Sequence, residues 1–235
     1  MLSNLGSGAF HFKLTNTTMC GIIAYSGSGT ASHMKLVANL LAESKIRGQL
    51  TQGVTAATGS ALFTQQGGLL PNKAQRIIAH SRYATNESTD TQPFMFRAPE
   101  CAVSDAIAVA YNGVVARHKV DWPESIYGGY TSDNDAAVVA ECAAADQRHK
   151  IPGSFAVAEL GVKHLYIYRN GHRPLWWTRY DNAIFVASTR DIILRAFGVT
   201  DMVVEKVPHG IIWDITSGVP AALTSLNDLQ PDLQS

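Results

Sequence analysis

Cys20 follows Met19 and opens an apolar run, Cys20-Gly21-Ile22-Ile23-Ala24-Tyr25. If translation starts at Met19, removal of that methionine leaves Cys20 with a free α-amine. Such an amine titrates near about 7.7–8.0 and serves as a base around neutral pH. One residue would then carry both a thiol nucleophile and its base, as in the threonine–N-terminal-amine arrangement. Attack on an amide also needs donors for the oxyanion, and Asn112-Gly113 offers a side-chain amide beside an unhindered backbone N–H. An amino-acid substrate needs a cation for its carboxylate, for which Arg82 has the forked shape. It needs an anion for its ammonium, and Asp135 can supply one.

Taken singly, each residue has a plainer reading. A lone cysteine opening a buried strand is usually core. Asn-Gly after a strand is most often a turn. Asp135 lies three residues after Ser132 and can complete a helix capping box. Arg82 can serve as half of a surface ion pair. The signal lies in the combination.

These residues need elements to bring them together. Cys20 to Tyr25 reads as a strand, followed by a turn over Ser26 to Thr30. Ser32 can cap a helix over His33 to Glu43, in which Met34, Val37, Leu40 and Leu41 share one face. Arg47 to Val54 reads as a loop entering a strand, and short strands follow over Ala61 to Thr64 and Arg76 to His80. Asn86 to Pro93 is a polar loop of the kind that often carries function. Ala106 to Tyr111 reads as a strand that Asn112-Gly113 ends as a turn. Asp133 to Gln147 reads as a helix with Ala136, Val139, Ala140 and Ala143 along one side. Strands over Ser154 to Leu160, Lys163 to Arg169 and Ala183 to Ser188 lead to a helix over Asp191 to Phe197. Strand-like Met202 to Val207 and Gly210 to Ile215 close the domain. Helices are few and strands run in consecutive groups, which predicts a layered α+β domain with antiparallel sheets.

The 235 residues are 46% apolar and 16% charged, enough for one globular domain with its own core. Nineteen basic residues balance nineteen acidic ones, with no long run of either sign. Such a chain has no electrostatic footprint for nucleic acid or anionic lipid. No apolar window is long enough for a membrane span. Cys20, Cys101 and Cys142 are too few and scattered for a disulfide framework, and Cys142 reads as a buried helix residue. No CxxC or HExxH is present, so neither a metal nor a cofactor is expected. The residues before Met19 lack the basic-then-apolar order of a secretory signal, which leaves the cytoplasm as the expected location.

In order along the chain, these residues resemble the class II glutamine amidotransferase domain, an N-terminal-nucleophile hydrolase. Glutamine–fructose-6-phosphate aminotransferase and amidophosphoribosyltransferase carry that domain. Cys20-Gly21-Ile22 is similar to its mature N-terminus, and Arg47-Gly48-Gln49 to its Arg-Gly-Gln-Asp loop. His80 to Thr85, "HSRYAT", resembles its arginine element, Asn112-Gly113 its oxyanion turn, and Ser132 to Asp135 its helix start. Thr91 to Phe94, Arg169 to Trp176 and Phe185 to Ser188 lean toward amidophosphoribosyltransferase.

The resemblance implies a four-layer αββα sandwich and L-glutamine as substrate. Cys20 would be the nucleophile, with Asn112 and Gly113 holding the oxyanion. Arg82, with Thr85 nearby, would bind the glutamine carboxylate and Asp135 its ammonium. Arg47 is expected among the substrate-binding residues, and Asn86 to Pro93 as a lid. Leu50 departs from the acidic residue usual after Arg-Gly-Gln, Glu87 falls where a glycine is common, and Ala137 replaces a glutamate.

The expected organisation is a leader over 1–19, the amidotransferase domain over 20–215, and a loose polar tail over 216–235. Three accounts of the leader are open: a start at Met19, a propeptide that is cut, or a retained segment that silences the nucleophile. The leading expectation is a stand-alone glutaminase that passes ammonia to a separate synthase subunit. The alternatives are a hydrolase of another γ-glutamyl amide and a catalytically silent regulatory subunit.

Overall fold

Gly21–Ser26 forms strand β1, buried along its whole length. A strand covered on both faces has no need of polar alternation, which accounts for its unbroken Ile-Ile-Ala-Tyr run. The structure is a computed structural model that describes residues 20–49, 51–83, 92–97, 106–113, 115, 135–151 and 153–226. After β1 come α1 (Ala31–Ser44), β2 (Thr51–Thr58), β3 (Ala61–Gln66), β4 (Arg76–Arg82), β5 (Phe94–Phe96) and β6 (Ile107–Gly113). Then follow α2 (Asp135–Ala144), β7 (Phe155–Gly161), β8 (Leu165–Asn170), β9 (Trp176–Tyr180), β10 (Ala183–Ala187) and α3 (Arg190–Phe197). The last three described strands are β11 (Glu205–Lys206), β12 (Ile211–Asp214) and β13 (Ala221–Ser225).

The strands form two antiparallel sheets, ordered β11-β9-β10-β1-β4-β2-β3 and β13-β12-β8-β7-β6-β5. Alternation along each strand divides the core into three layers. Ile23, Tyr25, Ile77 and Phe185 of the first sheet pack against Val37 and Leu40 of α1 and Ile192 and Ile193 of α3. Ile22, Ala24, Ile78 and Val186 turn the other way, to meet Ala108, Ala110, Ala156 and Ala158 of the second sheet. Val109, Tyr111 and Val157 cover the far side, under Ala136, Val139 and Ala140 of α2. The result is the expected αββα sandwich. Among the described residues no helix is long and apolar enough to cross a membrane.

Several local expectations change. Thr30, not Ser32, caps α1, accepting the N–H of His33 at 3.2 Å. Asn112-Gly113 is not a turn: β6 runs through both, paired with Ala156 and Phe155 of β7. Pairing along a whole strand outweighs the local turn preference of Asn-Gly. Of Met202 to Val207, only Glu205–Lys206 forms a strand. Residues 221–225, expected in a loose tail, form β13 against β12, and Leu226 behind it is buried. Strand β9 had no counterpart in the sequence reading. Cys101, Ser132 and Asp133 lie outside the described residues.

A buried ion cluster pins the second sheet beneath α2. Glu159, fully buried, accepts Arg148 Nε at 2.8 Å and Nη2 at 2.6 Å, His164 Nε2 at 3.0 Å and the Tyr168 hydroxyl at 3.0 Å. Burial alone would raise its carboxyl, but these donors and their charges win and hold it down at about 2. Arg148 also pairs with Asp146.

Candidate active site

Register delivers the first two residues. In the antiparallel pair of β1 and β4, Gly21 lies opposite Ser81 and Ile22 opposite His80. One step further brings Cys20 opposite Arg82. Parity sets the face: Ile22 and Ile78 point into the layer between the sheets, so Cys20, His80 and Arg82 share that side. On β6, Ala108 and Ala110 face the same layer, and Asn112 is the next residue in that series. His80 Nε2 lies 3.1 Å from the Tyr111 carbonyl oxygen, which fixes β6 at the Cys20 end of the sandwich. Cys20, Arg82 and Asn112 therefore converge at one end of the inter-sheet layer.

Cys20 is held at both main chain and side chain. Its carbonyl oxygen accepts Arg47 Nε at 3.1 Å and the Ser188 hydroxyl at 3.5 Å. Its thiol donates to the Tyr83 carbonyl at 3.6 Å. Burial pushes the thiol's pKa up, and the charges of Arg82, Arg47 and Arg173 pull against it without winning. Cys20 is thus a thiol at neutral pH and would need a base to ionise it. Arg47, expected to contact substrate, spends Nε on Cys20, while its buried Nη2 has no hydrogen-bond partner among the described residues.

Asn112 is buried, and its Nδ2 likewise has no partner among the described residues. A buried donor left unpaired costs about 1–3 kcal/mol. An acceptor arriving beside it, such as a carbonyl oxygen gaining charge, would relieve that cost. Gly113 has no room for a side chain: a Cβ there would lie 2.6 Å from the Tyr111 hydroxyl and 2.9 Å from the Ser154 carbonyl oxygen. Gly48 is equally constrained, since its Cβ would sit 2.3 Å from the Arg82 carbonyl carbon. The Arg-Gly-Gln loop therefore lies directly on the backbone of Arg82.

Asp135 opens α2, and its Oδ2 accepts the N–H of Val115 at 2.9 Å, just past β6. That contact ties α2 to the strand bearing Asn112. Thr85, Glu87, Leu50 and 86–91 of the expected lid lie outside the described residues. Its last two residues, Gln92 and Pro93, are described, and Gln92 Oε1 accepts the N–H of Tyr111 at 2.8 Å.

Sequence reasoning assigned no role to Ser188, Arg173, His80 or Ser154. Ser188 Oγ accepts the N–H of Ile22 at 2.7 Å. Ser154 Oγ accepts the N–H groups of His172 at 2.8 Å and Arg173 at 3.2 Å, fixing the loop that brings Arg173's charge to Cys20. The signal was present, because His80, Arg173 and Ser188 sit in stretches that resemble the amidotransferases. A cavity of about 610 Å³ lined by Ser28, Arg76 and Lys163 lies beyond Ser26, at the opposite end of β1 from Cys20. The chemistry-bearing residues are not there.

No protein-family model and no curated protein matches the sequence. Among solved structures, the chain is similar to the glutamine phosphoribosylpyrophosphate amidotransferase of B. subtilis complexed with ADP and GMP. That likeness has a TM-score of 0.71 at 22% identity, over 88% of this chain and 49% of the other. It is also similar to a structure described as the allosteric regulatory enzyme of purine biosynthesis, with a TM-score of 0.67 at 22% identity, over 88% and 49%. The chain thus spans about half the length of these relatives. It has the fold of their glutamine amidotransferase domain.

Proposed function

We propose that this protein is a class II glutamine amidotransferase that hydrolyses L-glutamine through Cys20, which is the first residue of the mature chain. The observation that carries the reading is the buried Nδ2 of Asn112, unpartnered among the described residues, at the end of the inter-sheet layer where Cys20 and Arg82 also lie. Maturation, by a start at Met19 or by removal of the residues before Cys20, exposes the α-amine. The raised thiol pKa makes that amine necessary as the base.

The α-amine takes the thiol proton and the sulfur attacks the γ-carbonyl carbon. The oxygen gains charge beside Asn112 Nδ2 and Gly113. The tetrahedral adduct collapses with loss of ammonia, whose added proton comes back from the α-ammonium. Water then attacks the γ-glutamyl thioester, giving glutamate and the free thiol. Arg82 pairs with the substrate carboxylate, Asp135 and Thr85 complete the amino-acid pocket, and Arg47 holds the nucleophile's own carbonyl. A separate ammonia-using synthase subunit receives the product.

The test measures glutamate and ammonia release from glutamine and from a panel of other γ-glutamyl amides, for wild type and Cys20→Ala. Glutamine turnover that Cys20→Ala abolishes supports the reading. Turnover confined to another γ-glutamyl amide moves the assignment to that substrate, and no turnover from a chain beginning at Cys20 overturns it. A pull-down that recovers no ammonia-using enzyme counts against the partner.

A further inference from the structure

The inter-sheet layer is built from Ile, Leu, Val and Ala, yet β4 sends a fully buried histidine into it between Ile78 and Arg82. The reason lies on the edge of β6. β5 pairs with β6 only as far as Phe94 with Val109. Two residues further along β6, Tyr111 presents its N–H and C=O on that same edge, past the end of the described β5. Two side chains take them instead: Gln92 Oε1 accepts the N–H at 2.8 Å, and His80 Nε2 reaches the carbonyl oxygen at 3.1 Å. A carbonyl only accepts, so Nε2 carries the proton. Nδ1 is buried without a partner among the described residues, an arrangement that a leucine at this position would avoid.

We propose that His80 is a positioning residue for the oxyanion site, orienting Asn112 and Gly113 by holding the Tyr111 carbonyl from the opposite sheet. This rests on the glutaminase reading above. The Tyr111 carbonyl and the Asn112 N–H belong to one rigid peptide plane. Fixing that carbonyl fixes the plane from which the Asn112 side chain projects, and with it the direction of the unpartnered Nδ2. The same strand carries Arg82 two residues later on the same face, so one element sets both the carboxylate cation and the oxyanion donor. Burial, reinforced by the nearby charge of Arg82, keeps the ring neutral down to about pH 3. The donor is therefore constant across the working range.

The test compares His80→Gln, which keeps an N–H donor of similar reach, with His80→Leu, which has none. His80→Phe is used if the leucine variant does not fold. His80→Leu is expected to lower kcat by about tenfold to a hundredfold, with KM within about threefold of wild type. His80→Gln is expected to recover kcat to within about fivefold, with no change in the pH profile between about pH 5 and 9. Hydrogen–deuterium exchange supplies a readout without turnover: the segment Ile107 to Gly113 exchanges faster in His80→Leu and is restored in His80→Gln. Wild-type kcat in His80→Leu overturns the proposal, as does a loss confined to KM or a glutamine variant no better than leucine. If wild type hydrolyses no γ-glutamyl amide, the glutaminase reading fails separately. Exchange alone then decides whether His80 holds β6, and unchanged exchange overturns that.

Discussion

The Ser188 hydroxyl stands 2.7 Å from the backbone nitrogen of Ile22 and 3.5 Å from the carbonyl oxygen of Cys20. One fully buried side chain, just past β10, thus spans the main chain of Cys20 and Ile22. Ser188→Ala removes the acceptor of a buried N–H, for which a loss of about 1–3 kcal/mol of stability is expected. Turnover should fall as well, because the main chain of Cys20 loses one of its holds. Denaturant melts and glutaminase assays on the same preparation measure both. Unchanged stability would mean that the Ile22 N–H finds another acceptor.

Gly48 tests the seat of Arg82, the arginine proposed to bind the glutamine carboxylate. A Cβ at Gly48 would meet the Arg82 backbone at 2.3 Å, and backbone has no easy way to yield. Gly48→Ala should displace Arg82 and raise KM for glutamine by about tenfold or more, with a smaller change in kcat. Steady-state kinetics over a range of glutamine concentrations make the comparison. An unaltered KM would separate the loop from Arg82 function.

The Glu159 cluster makes a stability prediction away from the chemistry. Glu159→Gln leaves the buried Arg148 guanidinium without its main carboxylate, and a loss of about 3–5 kcal/mol is expected. Its folded pKa of about 2 lies below the unfolded value of about 4.3. The stabilisation is therefore full above pH 4.3 and is lost as pH falls toward 2. Thermal melts of wild type and variant across that window should converge at the acid end. Equal separation at every pH would exclude an ionised Glu159.

His80 places a second acid limb at higher pH. Its folded pKa of about 3 lies below the unfolded value of about 6.5, so between those values the unfolded chain binds a proton that the folded chain refuses. Stability rises with pH through that window and levels off above it. His80→Gln has nothing to titrate there and should flatten the limb. A limb that persists between about pH 4.5 and 6.5 in the glutamine variant assigns it to another group.

Buried periodicity made much of the frame legible. The apolar run after Cys20, the face of Met34, Val37, Leu40 and Leu41, and the strands expected over Ser154 to Leu160, Lys163 to Arg169 and Ala183 to Ser188 all survive as elements. Cys20, Arg82 and Asn112, which the fold brings to one end of the inter-sheet layer, stood out in the sequence because each residue type matches a chemical need. The roles of Ser188 and His80 were not readable, since they depend on partners 166 and 31 residues away in the chain. Asn112-Gly113 misled as a turn because its strand partners, Ala156 and Phe155, lie more than forty residues downstream. Strand β9 was missed for a related reason. It lies between β10 and the two-residue β11, near the sheet edge, and its half-exposed Trp-Trp-Thr-Arg-Tyr run has neither a buried nor an alternating pattern.

The most direct test of Cys20 as the nucleophile is an intact-mass spectrum of the purified protein after exposure to a glutamine-like electrophile, with Cys20→Ala as control. The account predicts a chain beginning at Cys20 that gains one adduct, absent from the control. A mass that retains the residues before Cys20 and gains no adduct would contradict it, leaving Cys20 a half-buried cysteine ahead of β1 without a free amine.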